Sequence, residues 1–281
     1  MKKNLQLQIP ESDPHFYVPE NVIENLIRLE KLSAKHPVNI LVAGKQGCGK
    51  SSLIRQFASH FKRPLATFQM GLLSESGQLF GEQRLKEGKT YFQEFLFPKA
   101  IATPGCVIHL EEINRSENPK ALNELYSVLS EDRNIWIDEL GQISTAQNVV
   151  FFATLNEGPE FSGVDILDAA LKDRFYTFHL DYLPRPVEQK ILTLKTDVSD
   201  QQATEIVNVV GSLRKNPQEP IPISTRHSLM IAEFIGLGAS LKEAFMYSMQ
   251  INKDVLESVL LSLHLMEEEL KENHEENYQP F

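Results

Sequence analysis

Gly44-Lys45-Gln46-Gly47-Cys48-Gly49-Lys50-Ser51 fills every fixed position of the pattern G-x-x-x-x-G-K-[ST], whose chemistry is the capture of phosphate. Backbone N–H groups of a glycine-rich loop wrap anionic oxygens, and a helix N-terminus beneath them adds partial positive charge. In such a loop Lys50 reaches the β- and γ-phosphates and the Ser51 hydroxyl holds Mg²⁺. Gly44, Lys45, Gln46, Gly47, Cys48, Gly49 and Ser52 complete the cradle. The flanks supply the required context. Residues 38–43 are an apolar run that predicts a buried strand, and residues 52–58 open a helix. Together they imply a site for a nucleoside triphosphate.

A second set of groups lies downstream. The apolar run Cys106-Val107-Ile108-His109-Leu110 ends in Glu111-Glu112. Adjacent acids at the carboxyl end of a strand, beside a phosphate loop, can anchor Mg²⁺ and polarise the attacking water. Glu111 is the candidate for the metal side and Glu112 for the general base. A further buried strand, residues 149–154, is followed by Leu155-Asn156. An amide there could hydrogen-bond the attacking water, although asparagine is equally at home in a turn that ends a strand.

The elements that must position these groups follow from periodicity. Residues 1–20 are polar and punctuated by proline, an extended lead-in. Apolar residues at helical spacing predict a helix over residues 21–35. Strands are expected at residues 38–43, 65–69, 106–110, 149–154 and 175–180, with helices at about 52–60, 95–102 and 119–130. Two hairpins are expected, around residues 82–92 and 134–143. Beyond Pro184 the strand signal stops, and helical periods cover residues 188–196, 199–213, 225–237, 241–249 and 252–270. Ser199 with Gln202 predicts a capping box. Strands alternating with helices imply a parallel sheet covered on both faces.

The bulk properties remove several classes. With 28 basic and 38 acidic residues, the formal charge is −10, which argues against a protein that coats nucleic acid. Much of the acidity sits near the end, at Glu267–Glu269, Glu272, Glu275 and Glu276, where a solvated helix end accounts for it. Cys48 and Cys106 have no metal-ligand spacing. Two thiols without a disulfide framework fit a cytoplasmic protein. No apolar run approaches the ~20 residues of a membrane span, so no membrane partner is expected.

The ordered series of motifs resembles the AAA+ ATPases. It comprises Gly44–Ser51, Ile108-His109-Leu110-Glu111-Glu112-Ile113-Asn114-Arg115, Ala153-Thr154-Leu155-Asn156 and Leu171-Lys172-Asp173-Arg174-Phe175. More narrowly it resembles the MoxR-like, dynein-related group that includes the CobS and CbbQ types. Tyr17-Val18-Pro19-Glu20 and Ile223-Ser224-Thr225-Arg226-His227 look like that group as well. The resemblance spans about residues 15–250. It implies ATP as the nucleotide, Lys50 and Ser51 as the Walker A pair, and Glu111 and Glu112 as Walker B. It implies Asn156 as sensor 1, Arg174 as an arginine finger acting on a neighbouring subunit, and Arg226 as sensor 2. Arg115 would face the subunit junction. The hairpins resemble the inserts that engage a client; Tyr91, Phe92 and Trp136 are candidate contacts, with packing on their own domain as the alternative for each. In one place the chain departs from the group, which ordinarily has Asp where Glu111 stands. The longer acid puts turnover in question more than binding.

The expected architecture is therefore an α/β phosphate-loop domain with a parallel sheet, the AAA+ core, followed by a small helical lid. Its divisions are a lead-in at 1–14, the nucleotide domain at 15–183, the lid at 184–270 and an acidic tail at 271–281. Nucleotide would bind in the cleft between domain and lid. The expected activity is that of a Mg²⁺-dependent ATPase ring, a hexamer by resemblance, that remodels or matures a protein partner. A von Willebrand factor A-domain protein, supplied separately, is the implied partner type. The alternatives are a nucleic-acid motor or restriction-type NTPase and a nucleotide-dependent switch with slow hydrolysis. A small-molecule kinase would leave Asn156, Arg174 and Arg226 unexplained, and guanine specificity lacks an Asn-Lys-x-Asp motif.

Overall fold

The computed structural model describes residues 7–73, 75, 77–115, 122–157, 167–216, 220–249 and 251–262. The chain forms two compact units, Met1–Asp181 and Tyr182–Phe281. In the first unit the elements are α1 (Glu20–Ser33), β1 (Val38–Gly44), α2 (Lys50–His60), β2 (Leu65–Gln69), β3 (Gly81–Lys86) and β4 (Lys89–Glu94). They continue with α3 (Leu96–Ile101), β5 (Val107–Glu111), α4 (Asn123–Val128), β6 (Asn134–Ile137), β7 (Gly141–Ser144), β8 (Val150–Asn156), α5 (Ala169–Lys172) and β9 (Tyr176–Leu180).

Five strands form one parallel sheet in the order β2-β5-β8-β1-β9. The alternation of side chains across each strand divides its residues between two cores. Leu41, Ala43, Ile108, Leu110, Phe151 and Ala153 face one layer, which contains Phe97 and Ile101 of α3 and Leu125 and Val128 of α4. Val38, Ile40, Val42, Val107, Val150 and Phe152 face the other, with Val22 and Leu26 of α1 and Leu53, Ile54 and Phe57 of α2. All seven residues of β1, and all seven of β8, are buried. Strands covered on both faces must read as continuous apolar runs, which is how these segments stand out in the sequence.

The hairpins β3–β4 and β6–β7 form separate two-stranded sheets. A side-chain bond from Gln83 Nε2 to Glu139 Oε1 (2.9 Å) joins them. Pro98 occupies the first turn of α3, where its missing N–H removes no intrahelical bond. The four-residue helix α5 has no periodic signal of its own. It is organised by Asp168, whose side chain accepts the Ala170 and Leu171 N–H groups. Residues 116–121, part of the helix expected over 119–130, lie outside the described residues, as do 263–281, which include the acidic tail. The lead-in touches the sheet through a bridge between Gln8 and Leu65.

The second unit contains α6 (Arg185–Lys195), α7 (Asp200–Arg214), α8 (Thr225–Gly236) and α9 (Leu241–Ser248), and residues 253–262 are also helical. Its core gathers Leu192, Ile206, Val210, Ile231, Ala232 and Phe245. Inside it Glu188 is fully buried. Both its oxygens accept from Arg214 (2.7 and 2.9 Å), and Oε1 also accepts from Ser228 Oγ (2.8 Å). A buried carboxylate is tolerable only with such pairing. Capping boxes start three of the helices, at Ser199/Gln202, Ser224/His227 and Ser240/Glu243.

The middle box is unusual in using histidine. His227 Nδ1 accepts the Ser224 N–H (3.3 Å), so that nitrogen must be unprotonated. Burial, and secondarily the Arg226 cation, hold the His227 pKa below its usual 6.5. The unfolded chain therefore takes this proton first. Stability should decline as pH falls from the unfolded value through the lowered folded one. Chemical denaturation from about pH 7.5 to about pH 5 should show this acid loss, and His227→Gln, a non-titrating box partner, should flatten it. An unchanged slope in the variant would assign the acid sensitivity elsewhere.

Candidate functional site

The register of the sheet sets the strand ends in two rows, with β1, β8 and β9 level and β2 and β5 ending about two residues short of them. Gly44 pairs with Asn156 and Leu180, and Gln69 pairs with Glu111. At this carboxyl edge the chain leaves β1 and turns through the phosphate loop into α2. Gly47 (φ 71°) and Gly49 (φ 98°) lie in the left-handed region, and a Cβ on Gly44 would stand 2.1 Å from the Leu180 carbonyl oxygen. Side chains at these positions would strain or block the loop. Phe16 of the lead-in covers it, since a Cβ on Gly49 would meet the Phe16 ring at 3.3 Å.

Within the loop Lys50 is buried, and Nζ donates to Gly44 O (2.8 Å) and Lys45 O (2.7 Å). The ammonium thus sits at the start of α2, where the loop amides and the helix dipole converge. Lys45 pairs with Asp181 (3.3 Å) at the end of the unit. Cys48 is half-buried, and burial, opposed by the Lys50 charge, raises its thiol pKa. It is a protonated packing group.

The two acids at the end of β5 separate. Ser51 Oγ donates to Glu111 Oε1 (2.7 Å), and Gln69 Nε2 donates to Glu111 Oε2. Asn156 Nδ2 donates to Glu112 Oε1 (2.9 Å), while Arg115 Nη1 lies 3.2 Å from Glu112 Oε2. Glu112 has φ 54°, in the left-handed region, and its N–H donates to Thr154 Oγ1 (3.1 Å). Ser51 and Glu111 offer a hydroxyl and a carboxylate, the hard oxygen donors that Mg²⁺ prefers. Among the described residues no group of three or more His, Cys, Asp or Glu could hold a metal. A cation here would take most of its shell from phosphate and water, which is how Mg²⁺ is commonly held.

Beneath this edge runs a buried polar line. His109 Nδ1 lies 3.5 Å from Thr67 Oγ1, and its Nε2 lies 3.4 Å from Thr154 Oγ1. Burial, partly offset by Glu111, lowers the His109 pKa to about 4, so the ring is neutral at neutral pH. At the other end of the sheet Arg133 donates to Val149 O (2.7 Å), Val38 O (3.1 Å) and Asn39 Oδ1 (2.9 Å). Asn39 Nδ2 donates in turn to Leu129 O and Arg174 O.

The structure thus brings Ser51, Glu111, Glu112 and Asn156 together around the phosphate loop. Arg174 is held elsewhere, its guanidinium 5.0 Å from the Tyr126 ring centroid and bonded to the Ala170 carbonyl. Arg226 stands on the first turn of α8, in the second unit. No motif gives Thr154, Gln69 or Phe16 a role of its own. Thr154 alone carried a signal, a hydroxyl inside an otherwise apolar strand. Replacing it by the isosteric valine should leave the Glu112 N–H without its partner, at a cost of about 1–3 kcal/mol in denaturant unfolding. Thr154→Ser, which keeps the acceptor, should lose less. Full stability in Thr154→Val with a loss only in Thr154→Ser would show that the methyl packing matters and the hydrogen bond does not.

The sequence pattern of the AAA domain (dynein-related subfamily) matches residues 39–175. BssE of Thauera aromatica, described as a candidate chaperone, is 57% identical over 259 residues, covering 92% of this chain and 91% of its own. NorQ of Paracoccus denitrificans is 25% identical over 237 residues, covering 83% of this chain and 85% of the relative. Among solved structures, the Thermotoga maritima RuvB Holliday junction branch migration motor aligns with a TM-score of 0.54 at 19% identity. It covers 92% of this chain and 74% of that one, a likeness of fold alone.

Proposed function

The chain belongs to the MoxR-like, dynein-related group of AAA+ ATPases, and we propose that it is a Mg²⁺-dependent ATPase ring that remodels or matures a protein partner. The observation that carries this reading is the pairing of Ser51 with Glu111 and of Glu112 with Asn156 at the edge of the phosphate loop. That separation divides the work between two neighbouring acids.

In the proposed reaction the loop amides and Lys50 bind the β- and γ-phosphates, and Arg226 keeps the sensor 2 role that its motif implies. Mg²⁺, held by Ser51 and Glu111, would neutralise charge on the phosphate oxygens. Glu112 takes the proton of the attacking water. Asn156 fixes one oxygen of that carboxylate, which retains lone pairs for the water. Arg174 acts in trans, stabilising the charge that develops in a neighbour's site. This chemistry calls for a ring, hexameric in our reading, in which each subunit's Arg174 serves a neighbour's site.

The chaperone description of BssE supports a protein client, and a separate von Willebrand factor A-domain protein is the partner type we propose. The charge of −10 weighs against a nucleic-acid track. We place the protein in the cytoplasm. Among the described residues no helix is long and apolar enough to cross a membrane.

ATPase rate per subunit should rise with protein concentration as rings assemble, followed by mass photometry on the same samples. Glu112→Gln should keep nucleotide binding and lose roughly 10²–10⁴-fold in turnover, the usual worth of a general base. Arg174→Ala should lose about 10³-fold or more without losing nucleotide affinity. Full activity in Arg174→Ala, or a rate independent of concentration, would sink the trans-acting ring. DNA-stimulated, salt-sensitive turnover would redirect the client to nucleic acid.

A further inference from the structure

We propose that Gln69 is a positioning residue for Glu111, holding one oxygen of that carboxylate so that the other stays on Ser51. The inference rests on the reading of Ser51 and Glu111 as the cation's protein ligands. Gln69 and Glu111 are the last residues of β2 and β5 and are direct partners in a parallel register, so both side chains leave the same face of the sheet. Gln69 Nε2 donates to Glu111 Oε2, and Ser51 Oγ donates to Oε1. The carboxylate is therefore gripped at both oxygens, from α2 on one side and β2 on the other.

The grip matters because residue 111 is a glutamate. Its side chain has one more rotor than aspartate, and that terminal torsion is broad. An unheld carboxylate would rotate Oε1 away from Ser51 and would have to be reordered when the cation binds. An aspartate would draw the carboxylate back by roughly one C–C bond, ~1.5 Å. It would then keep Ser51 or Gln69 but not both. Gln69 thus answers the extra length of Glu111, and its importance depends on that length.

This dependence makes the inference testable by a double-mutant cycle. Affinity for a fluorescent, non-hydrolysable ATP analogue is measured with Mg²⁺ and with EDTA, and the ratio reports the cation's contribution without turnover. In the wild type, Gln69→Leu should reduce that ratio by roughly three- to tenfold, the worth of a hydrogen bond to a charged group at an exposed position. Gln69→Glu, which replaces the donor with a like charge, should reduce it further. Against a Glu111→Asp background, Gln69→Leu should change the ratio by less than about twofold. Gln69 is exposed, and the thermal midpoints of the variants check that the fold is retained.

If Gln69→Leu acts equally in both backgrounds, or not at all while Ser51→Ala abolishes the Mg²⁺ effect, the positioning role is wrong and the metal site stands. If Ser51→Ala leaves the Mg²⁺ effect untouched, or the wild type shows none, the metal-site reading fails and this inference with it.

Discussion

The hydrogen bond from Ser51 to Glu111, at 2.7 Å, depends on the register that ties β5 to β1 through a third strand. Ser51 is delivered by the loop after β1 and Glu111 by the tip of β5, and the two strands are not neighbours. Strand β8 lies between them, pairing Gly44 with Asn156 on one side and Leu110 with Ala153 on the other. A slip of one residue in either register would send the acid to the opposite face of the sheet. The apolar alternation of β1, β5 and β8 into two separate cores is what prevents that slip. Packing far from the chemistry thus sets the geometry of the site.

The same sheet carries polar groups that packing alone would not choose. Asn39, Arg133, His109 and Thr154 are all buried, and each must be satisfied in place. Burial pulls the Arg133 pKa down to about 10, yet it stays charged at neutrality and directs its two terminal nitrogens to backbone and amide oxygens. Through Asn39 it reaches the carbonyl of Arg174, so the backbone that carries this arginine is anchored to β1. His109 and Thr154 do the corresponding work at the opposite edge, under Glu112. Replacing one of these groups with an apolar residue would leave its buried partner unsatisfied, and the backbone it fixes would lose a reference point.

Much of this was legible in the residues because two of its physical causes are local. Strands buried on both faces must be apolar throughout, so residues 38–43, 106–110 and 149–154 announce themselves, and a phosphate loop needs glycine where φ is positive. Ser199 and Gln202 show their capping box in sequence for the same reason. What could not be read depends on partners brought together by the register. Gln69 is an ordinary polar residue until β2 is laid beside β5. Asp168 organises α5 with a cap that no periodicity announces. Arg174 was readable as a residue type in a motif, while its resting place on Tyr126 is set by tertiary packing.

Glu111 and Glu112 show how the backbone resolves a conflict that the sequence only poses. Two adjacent carboxylates beside a triphosphate site would repel one another if they shared an environment. Along a strand, neighbouring side chains already point to opposite faces. Here the strand ends at Glu111, and Glu112 turns into the left-handed region with φ 54°. That conformation costs energy in a residue with a Cβ. It is held by the bond from the Glu112 N–H to Thr154 and by the Asn156 and Arg115 contacts to the carboxylate. The strain sends one acid toward Ser51 and the other toward Asn156, which gives them different partners and therefore different tasks. A relaxed strand ending would leave the same two residues in sequence without producing that division.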